Sequence, residues 1–342
     1  MKFMKKDTLL TISEKTGYSI STISRALSGK GKKYRISQNT VDYIKEVARS
    51  CNYTPNLIAQ SLRTRKTNTI GLAIPSIDNP FFSTMSGVII NSLKKKGYNV
   101  LLSDTMENEN NEAEVIGSFV SRNVDAIIVV PVGSSAAYLE SVAETIPVVL
   151  IDRHFEDTRL PYVCTDNYSG GYMATEYLIG KGYRNLLAIQ GVCSSMPNRE
   201  RLRGFHQAVT DNRFLGVSET VSGDSFSVDN GYNQAISALS ADGNRPDAIF
   251  AFSTTILLGA IKAIRELGLR IPEDVAIISF DNNRFLDFMD PAITRIEQPV
   301  NLVGKLVVDC VVQLVEDADG ENEDMTHLQT QLRPTLIEGR SC

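Results

Sequence analysis

Hydrophobic positions near the start of the chain recur at helical spacing. In "SISTISRALSGKG", residues 19–31, Ile20, Ile23 and Leu27 fall at i, i+3 and i+7 among five serines and threonines, the pattern of a short helix with a polar outer face. Upstream, "TISE" from Thr11 to Glu14 has the form of a capping box, which predicts a first helix starting at residue 11. "TGYS" then supplies a turn at Gly17 and a cap at Ser19, and a third helix is predicted from Ser37, with Val41, Ile44, Val47 and Ala48 at helical spacing.

From residue 67 the period changes. "TIGLAIP", "NVLLSD", "DAIIVVP" and "PVVLID" predict the strands of one lobe, and "NLLAIQG", "DAIFAF" and "VAIISFD" those of a second. Helical stretches such as "STMSGVIINSLKKKG" and "GGYMATEYLIGKG" lie between them. Alternation of this kind predicts an α/β fold of parallel sheets covered by helices.

Charge separates the two regions. Residues 1–66 hold 14 Lys and Arg against 4 Asp and Glu, net +10; the remaining 276 hold 21 against 36, net −15. A basic head on an acidic body is the footprint of a nucleic-acid-binding module joined to something else. Five cysteines, at 51, 164, 193, 310 and 342, show neither a CxxC pair nor metal-ligand spacing, and an odd number argues against a disulfide framework. The longest apolar runs fall far short of the roughly 20 residues of a membrane span. "MKFMKKDTLL" lacks the apolar stretch of a signal peptide, so the chain is expected to stay in the cytoplasm, without a membrane partner.

Helix, glycine turn, helix is a DNA-binding arrangement whose second helix enters the major groove. Ile23 and Leu27 are then expected to face a small core, and Ile20, Ser21 and Arg25 to face double-stranded DNA. Ser19, Thr22 and Ser24 would donate to phosphates, and Arg25 has the fork that reads guanine. In the body, ligands of such sheets sit beyond the carboxyl ends of the strands. The segments there are "SIDNPFF", "DRHF", "MPNRERLRGF" and "DNNRF", a mix of charges, amides and rings suited to a small polar ligand. No GxSxG, HExxH, P-loop or strand-following GxGxxG occurs, and "GKGKK" lacks the Ser or Thr of a phosphate loop. No enzyme and no cofactor or metal is expected.

"TISEKTGYSISTISRALSG", together with "NYTPN", "AQSLR" and "TIGLAIP", resembles the headpiece and hinge of the LacI/GalR family of bacterial transcription regulators, and the resemblance runs through the whole chain. It implies a helix-turn-helix headpiece over 1–55, a hinge helix over 56–66 and a core over 67–342 like the two-lobed periplasmic sugar-binding proteins. The N-lobe is expected at about 67–164 and 297–328 and the C-lobe at about 165–296 and 329–342. Implied partners are a pseudo-palindromic operator bound by a homodimer and a small effector between the lobes. That effector is a sugar or sugar derivative, with a nucleoside or purine as the alternative; a sugar-binding protein without a regulatory role is the other reading.

On the DNA side the resemblance adds Asn56 and Ala59 of the hinge and Leu62 as a minor-groove wedge. Arg35, in the basic segment "SGKGKKYRIS", is a further candidate with no settled role. On the effector side it implies Phe81, Phe82, Asp152, Arg153, Arg201, Phe226, Asp281 and Gln298. Where many members carry Asn-Asp, this chain has Ser253 and Thr254, so the identity of the effector does not carry over. Read without the family, Phe81 and Phe82 are ordinary core, Arg201 and Asp281 a structural ion pair, and Asp152 a helix cap.

Overall fold

The computed structural model describes residues 8–29, 31–51, 53, 66–241, 243, 245–317 and 328–342. The chain forms two compact units, 1–67 and 68–342. Hinge residues Asn56, Ala59 and Leu62 lie outside the described residues, as does His327.

The first unit contains α1 (Leu9–Thr16), α2 (Ile20–Leu27) and α3 (Gln38–Ser50). Its capping box sits one turn earlier than predicted. The Thr8 hydroxyl accepts from the Thr11 amide, and the Thr11 side chain returns to the Thr8 backbone. An earlier start carries Leu9 and the fully buried Ile12 to the inner face, so burial of the apolar positions overrides the TISE signal. Ser19 caps α2 as expected, accepting from Thr22, and Ser37, expected as the start of the third helix, caps α3 by accepting from Thr40. Ile12, Ile23, Ala26, Val41, Ile44 and Ala48 form the core, which is small for a cooperative unit.

Among the described residues the second unit holds two six-stranded sheets. The first lobe runs β1 (Thr69–Ile74), α4 (Pro80–Lys95), β2 (Asn99–Asp104), α5 (Glu109–Ser121), β3 (Ala126–Val129), α6 (Ala137–Ala143), β4 (Val148–Ile151) and β5 (Tyr162–Thr165). The second runs α7 (Asn167–Gly180), β6 (Asn185–Ile189), α8 (Met196–Asp211), β7 (Ser218–Ser222), α9 (Val228–Ser240), β8 (Ala248–Ala251), α10 (Thr254–Glu266), β9 (Ala276–Phe280) and β10 (Thr294–Glu297). Then α11 (Val300–Glu316) returns to pack on the first sheet, followed by β11 (Gln329–Leu332) and β12 (Thr335–Ile337).

Sheet orders are β11-β5-β4-β3-β1-β2 and β12-β10-β9-β8-β6-β7, parallel throughout except where β12 meets β10. Central strands are buried along their whole length and read as continuous apolar runs, as parallel strands covered on both faces must. One lobe boundary differs from expectation. Residues 329–332 pair with β5 in the first sheet, so the return to the second lobe follows Leu332 instead of starting at 329. The main chain therefore passes between lobes after Thr165, at Gln298 and beyond Leu332.

Two helices of the second lobe touch at backbone distance. A Cβ on Gly171 of α7 would lie 2.2 Å from the carbonyl oxygen of Arg201, and one on Gly204 of α8 the same 2.2 Å from that of Tyr168. Glycine at both crossings is what lets α8 present Arg201 where it does.

Candidate functional site

On the headpiece, α2 turns the predicted face outward. Ile20 is 46% exposed although apolar, and Ser19, Ser21 and Arg25 are exposed beside it, with Thr22 and Ser24 half-buried. The Ser19 hydroxyl lies 2.9 Å from those of Ser21 and Thr22, leaving a row of small donors with no acidic neighbour on α2. The Arg25 guanidinium stacks over the ring of Tyr34 at 4.0 Å. Tyr34 belongs to a short 3-10 turn, Lys32–Tyr34, and Arg35 caps it in the left-handed region at φ 55. The basic segment is thus a folded turn that fixes the arginine. Sequence reading missed Tyr34, whose only signal is an aromatic between basic residues.

The second site lies at the carboxyl ends of the core strands, where both lobes contribute. Asn79 caps α4, with Pro80 opening the helix, and delivers Phe81 and Phe82 to one wall, their rings 5.2 Å apart edge to face. Asp152 and Arg153 follow β4; from the second lobe come Ser195 just before α8, Pro197 and Arg201 of α8, Phe226 after β7, Ser253 after β8 and Asp281 after β9. They surround an inner chamber of about 20 Å³, room for about one water. A wider space of about 760 Å³ adjoins it at Arg153 and Ser195.

Buried charges dominate the chamber. Arg201 is 4% exposed. Its Nε donates to Asn167 Oδ1 at 2.8 Å, its Nη1 to the Phe252 carbonyl, and its guanidinium lies 3.6 Å above the Phe280 ring. Asp281 accepts from Gln298 Nε2 at 2.6 Å and from the Thr254 amide. Arg201 and Asp281 approach only to 4.0 Å, so each is held mainly by other groups, not by a close mutual ion pair. Asn167 and Gln298, the two amides, stand at two of the passages between lobes. Gln298 does not line the inner chamber; it lies behind Asp281 in a narrow space shared with Phe81, Asp152 and Thr165.

Arg153 makes a two-pronged pair with Glu107, 2.8 Å from Nη1 to Oε2 and 2.6 Å from Nη2 to Oε1. Burial pushes the Asp152 carboxyl up to about 6, against the attraction of Arg153 and Arg201. Burial also raises Asp281, and lowers Arg201. Asp152 Oδ1, Arg153 Nε and Ser195 Oγ are buried with no hydrogen-bond partner among the described residues. Orphaned buried polar atoms are costly, and these three belong to residues that line one chamber. Glu107, Asp152 and Asp281 all have positive φ, at 50, 66 and 76; left-handed non-glycine residues gather at functional sites.

Two predicted residues have local duties as well. Ser253 caps α10 by accepting from Ile256, which occupies its hydroxyl. The Phe226 ring packs directly on Gly191, where a Cβ would lie 2.2 Å from it. Asp152 caps no helix; it sits in the loop after β4. The five cysteines are free. Among the described residues no cluster suited to a metal ion occurs, and no helix is long and apolar enough to cross a membrane.

A helix-turn-helix headpiece followed by a two-sheet core with a polar cleft defines a DNA-binding transcription regulator. Comparison with known proteins agrees. Residues 8–56 match the bacterial regulatory proteins of the lacI family, and residues 175–342 match the periplasmic binding protein-like domain. HTH-type transcriptional regulator DegA of Bacillus subtilis is 31% identical over 303 residues, 87% of this chain and 88% of that protein. The lac repressor dimer bound to operator shares the fold, with a TM-score of 0.85 at 23% identity over 98% of this chain and 99% of its own. A LacI-type regulator from Alkaliphilus metalliredigens, solved with D-xylulofuranose, gives a TM-score of 0.68 at 27% identity, covering 80% of this chain and 98% of its own. The chain belongs to the LacI family and is a transcriptional repressor, not an enzyme.

Proposed function

We propose that the core binds a small polyhydroxy effector, a sugar in the first instance, in the chamber between its lobes, and that this binding controls how a homodimer holds a pseudo-palindromic operator. The observation that carries the reading is the set of orphaned buried polar atoms on Asp152 and Arg153 of the first lobe and Ser195 of the second, residues that line one chamber. Carboxylate and guanidinium groups suit vicinal hydroxyls, which donate to one and accept from the other. The sugar bound by the Alkaliphilus regulator supports the class.

Control follows from where the ligand groups are fastened. Arg201 is tied to Asn167 and Asp281 to Gln298, both at passages between lobes. A ligand that pulls on either side chain therefore acts on the passages that set lobe disposition. The chamber holds about one water as it stands, so a sugar enters only when the lobes part. By this reading Ser19, Ile20, Ser21, Thr22, Ser24, Arg25 and Arg35 face DNA, Leu62 wedges into the minor groove, and Asn56 and Ala59 of the hinge also contact DNA.

A thermal-shift screen of the full chain against sugars, sugar phosphates and nucleosides tests it, because a ligand of the native state raises Tm by mass action. The expected result is a hit that disappears in Arg201→Ala and Asp281→Asn and alters operator affinity. Hits that survive both substitutions, or leave operator affinity unchanged, sink it.

A further inference from the structure

Resting on the reading of the cleft as the effector site, we propose that Glu107 is a specificity-determining residue. By engaging both prongs of the Arg153 guanidinium, it makes the cleft select uncharged polyhydroxy ligands and reject phosphorylated or carboxylated ones.

Each cation in the chamber already has an anion. Arg153 is spanned by Glu107 through both terminal nitrogens, and Arg201 faces Asp281 while donating to Asn167 and the Phe252 carbonyl. Asp152 is a third carboxylate beside these two cations, 5% exposed, with Oδ2 4.0 Å from Arg153 Nε and Oδ1 unpartnered. Farther out the walls add Glu109, Glu140, Glu156 and Asp157. Arg199 there is itself paired with Glu156 at 3.7 Å. An incoming phosphate meets an excess of negative charge and no free guanidinium fork. A hydroxyl pair meets what it needs, an acceptor in Asp152 Oδ1 and a donor in Arg153 Nε.

Glu107 is put in place by a built loop. Met106 and Glu107 both sit in the left-handed region, at φ 52 and 50. The Asp104 carboxylate accepts from the Met106 amide at 2.7 Å and the Ile77 amide at 2.8 Å. The Glu107 amide donates to the Pro75 carbonyl at 3.0 Å. Two consecutive strained residues persist only where their surroundings over-determine them. Here the result of the strain is one carboxylate aimed at one buried arginine.

Inorganic phosphate is the first probe, because it tests Arg153 without knowledge of the effector. Melting of the full chain is compared in phosphate and in chloride of equal ionic strength. Wild type should show no phosphate-specific rise in Tm. Glu107→Gln, which strips a buried guanidinium of its counterion, should gain one, and adding Arg153→Met should abolish that gain. In titrations with D-ribose against ribose 5-phosphate, and D-xylulose against its 5-phosphate, wild type should favour the uncharged member. Glu107→Gln should shift the ratio of Kd values toward the phosphate by on the order of tenfold, the difference between a charge-assisted and a neutral hydrogen bond.

Arg153-dependent stabilisation of wild type by phosphate overturns the proposal, as does a folded Glu107→Gln that gains nothing. Either outcome leaves the cleft standing as effector site. Failure of that reading shows itself separately, as ligand shifts indifferent to Arg201→Ala, and the phosphate comparison still decides the role of Glu107. If circular dichroism shows Glu107→Gln unfolded, Glu107→Ala replaces it, and the wild-type phosphate titration remains decisive by itself.

Discussion

At the scale of single residues, Asp152 makes the sharpest statement. Its carboxyl stands at about 6 in the folded chain, above the roughly 3.9 of an unfolded aspartate. The folded state therefore takes up the proton more readily. Stability from this group falls as pH rises from about 4 to about 6, and the full penalty of the buried charge is present above that window. Asparagine keeps the shape and tolerates the left-handed backbone. Melting of Asp152→Asn against wild type should thus show a Tm difference that grows in the variant's favour between pH 4 and 6.5 and then levels, at most on the order of 3 kcal/mol. A difference that shrinks with pH would mean that Arg153 and Arg201 outweigh desolvation. In the headpiece, Arg25→Ala should cost about 1–3 kcal/mol at one base position per half-site, and Tyr34→Ala, which removes only the stack beneath the arginine, should cost less. Binding measured on an operator set substituted at single positions separates the two. Equal losses at every position would make Arg25 a phosphate contact.

At the scale of elements, the glycine crossing of α7 and α8 ties packing to the site. Gly171→Ala would bring a methyl group against the Arg201 backbone, so the helices must part and Arg201 must move with α8. Overpacking of this kind costs about 1–3 kcal/mol. The expected outcome is a lowered Tm together with a loss of ligand shift, whereas the same substitution at Gly180, which meets nothing within 4 Å, should disturb neither. Elements also show what sequence reading reaches. The seven strands predicted from apolar runs are all present; six of them are buried strands, which have to be apolar, and β2 is an edge strand that keeps an apolar centre. Of the five missed among the described residues, β5 is buried but only four residues long, and the others are edge or polar strands. β7, "SETVS", is largely exposed, and β12 is three residues long. β10, "TRIE", buries Arg295 by pairing it with Asp287 and Asn282, which no local pattern announces. The site divides the same way. Arg201, Asp281 and Asp152 were legible because they follow strands in recognisable motifs. Glu107, Asn167 and Ser195 were not. Glu107 lies 46 residues from Arg153 and Asn167 lies 34 from Arg201, and only the fold brings such pairs together.

At the scale of the whole molecule, the chain joins two bodies of unequal strength and opposite charge. Among the described residues the headpiece core is a cluster of six buried side chains, and the headpiece carries most of a net charge of +10 over residues 1–66, against −15 for the rest. The core rests on apolar clusters running through both sheets. A small core melts before a large one, so calorimetry should resolve two transitions, the first small and belonging to the headpiece. DNA binds through phosphate contacts and releases counterions. It should therefore raise the first transition strongly at about 50 mM salt and little at a few hundred millimolar, while a sugar should raise the second at any salt. What each ligand does to the other's transition then measures the coupling between sites, since linkage requires the two effects to be equal in free energy. A regulator needs that coupling. If saturating sugar left the DNA-induced rise unchanged, and saturating DNA left the sugar-induced rise unchanged, the cleft would be a binding site without consequence for the operator. The attachment of Arg201 and Asp281 to the passages between lobes would then be a matter of stability alone.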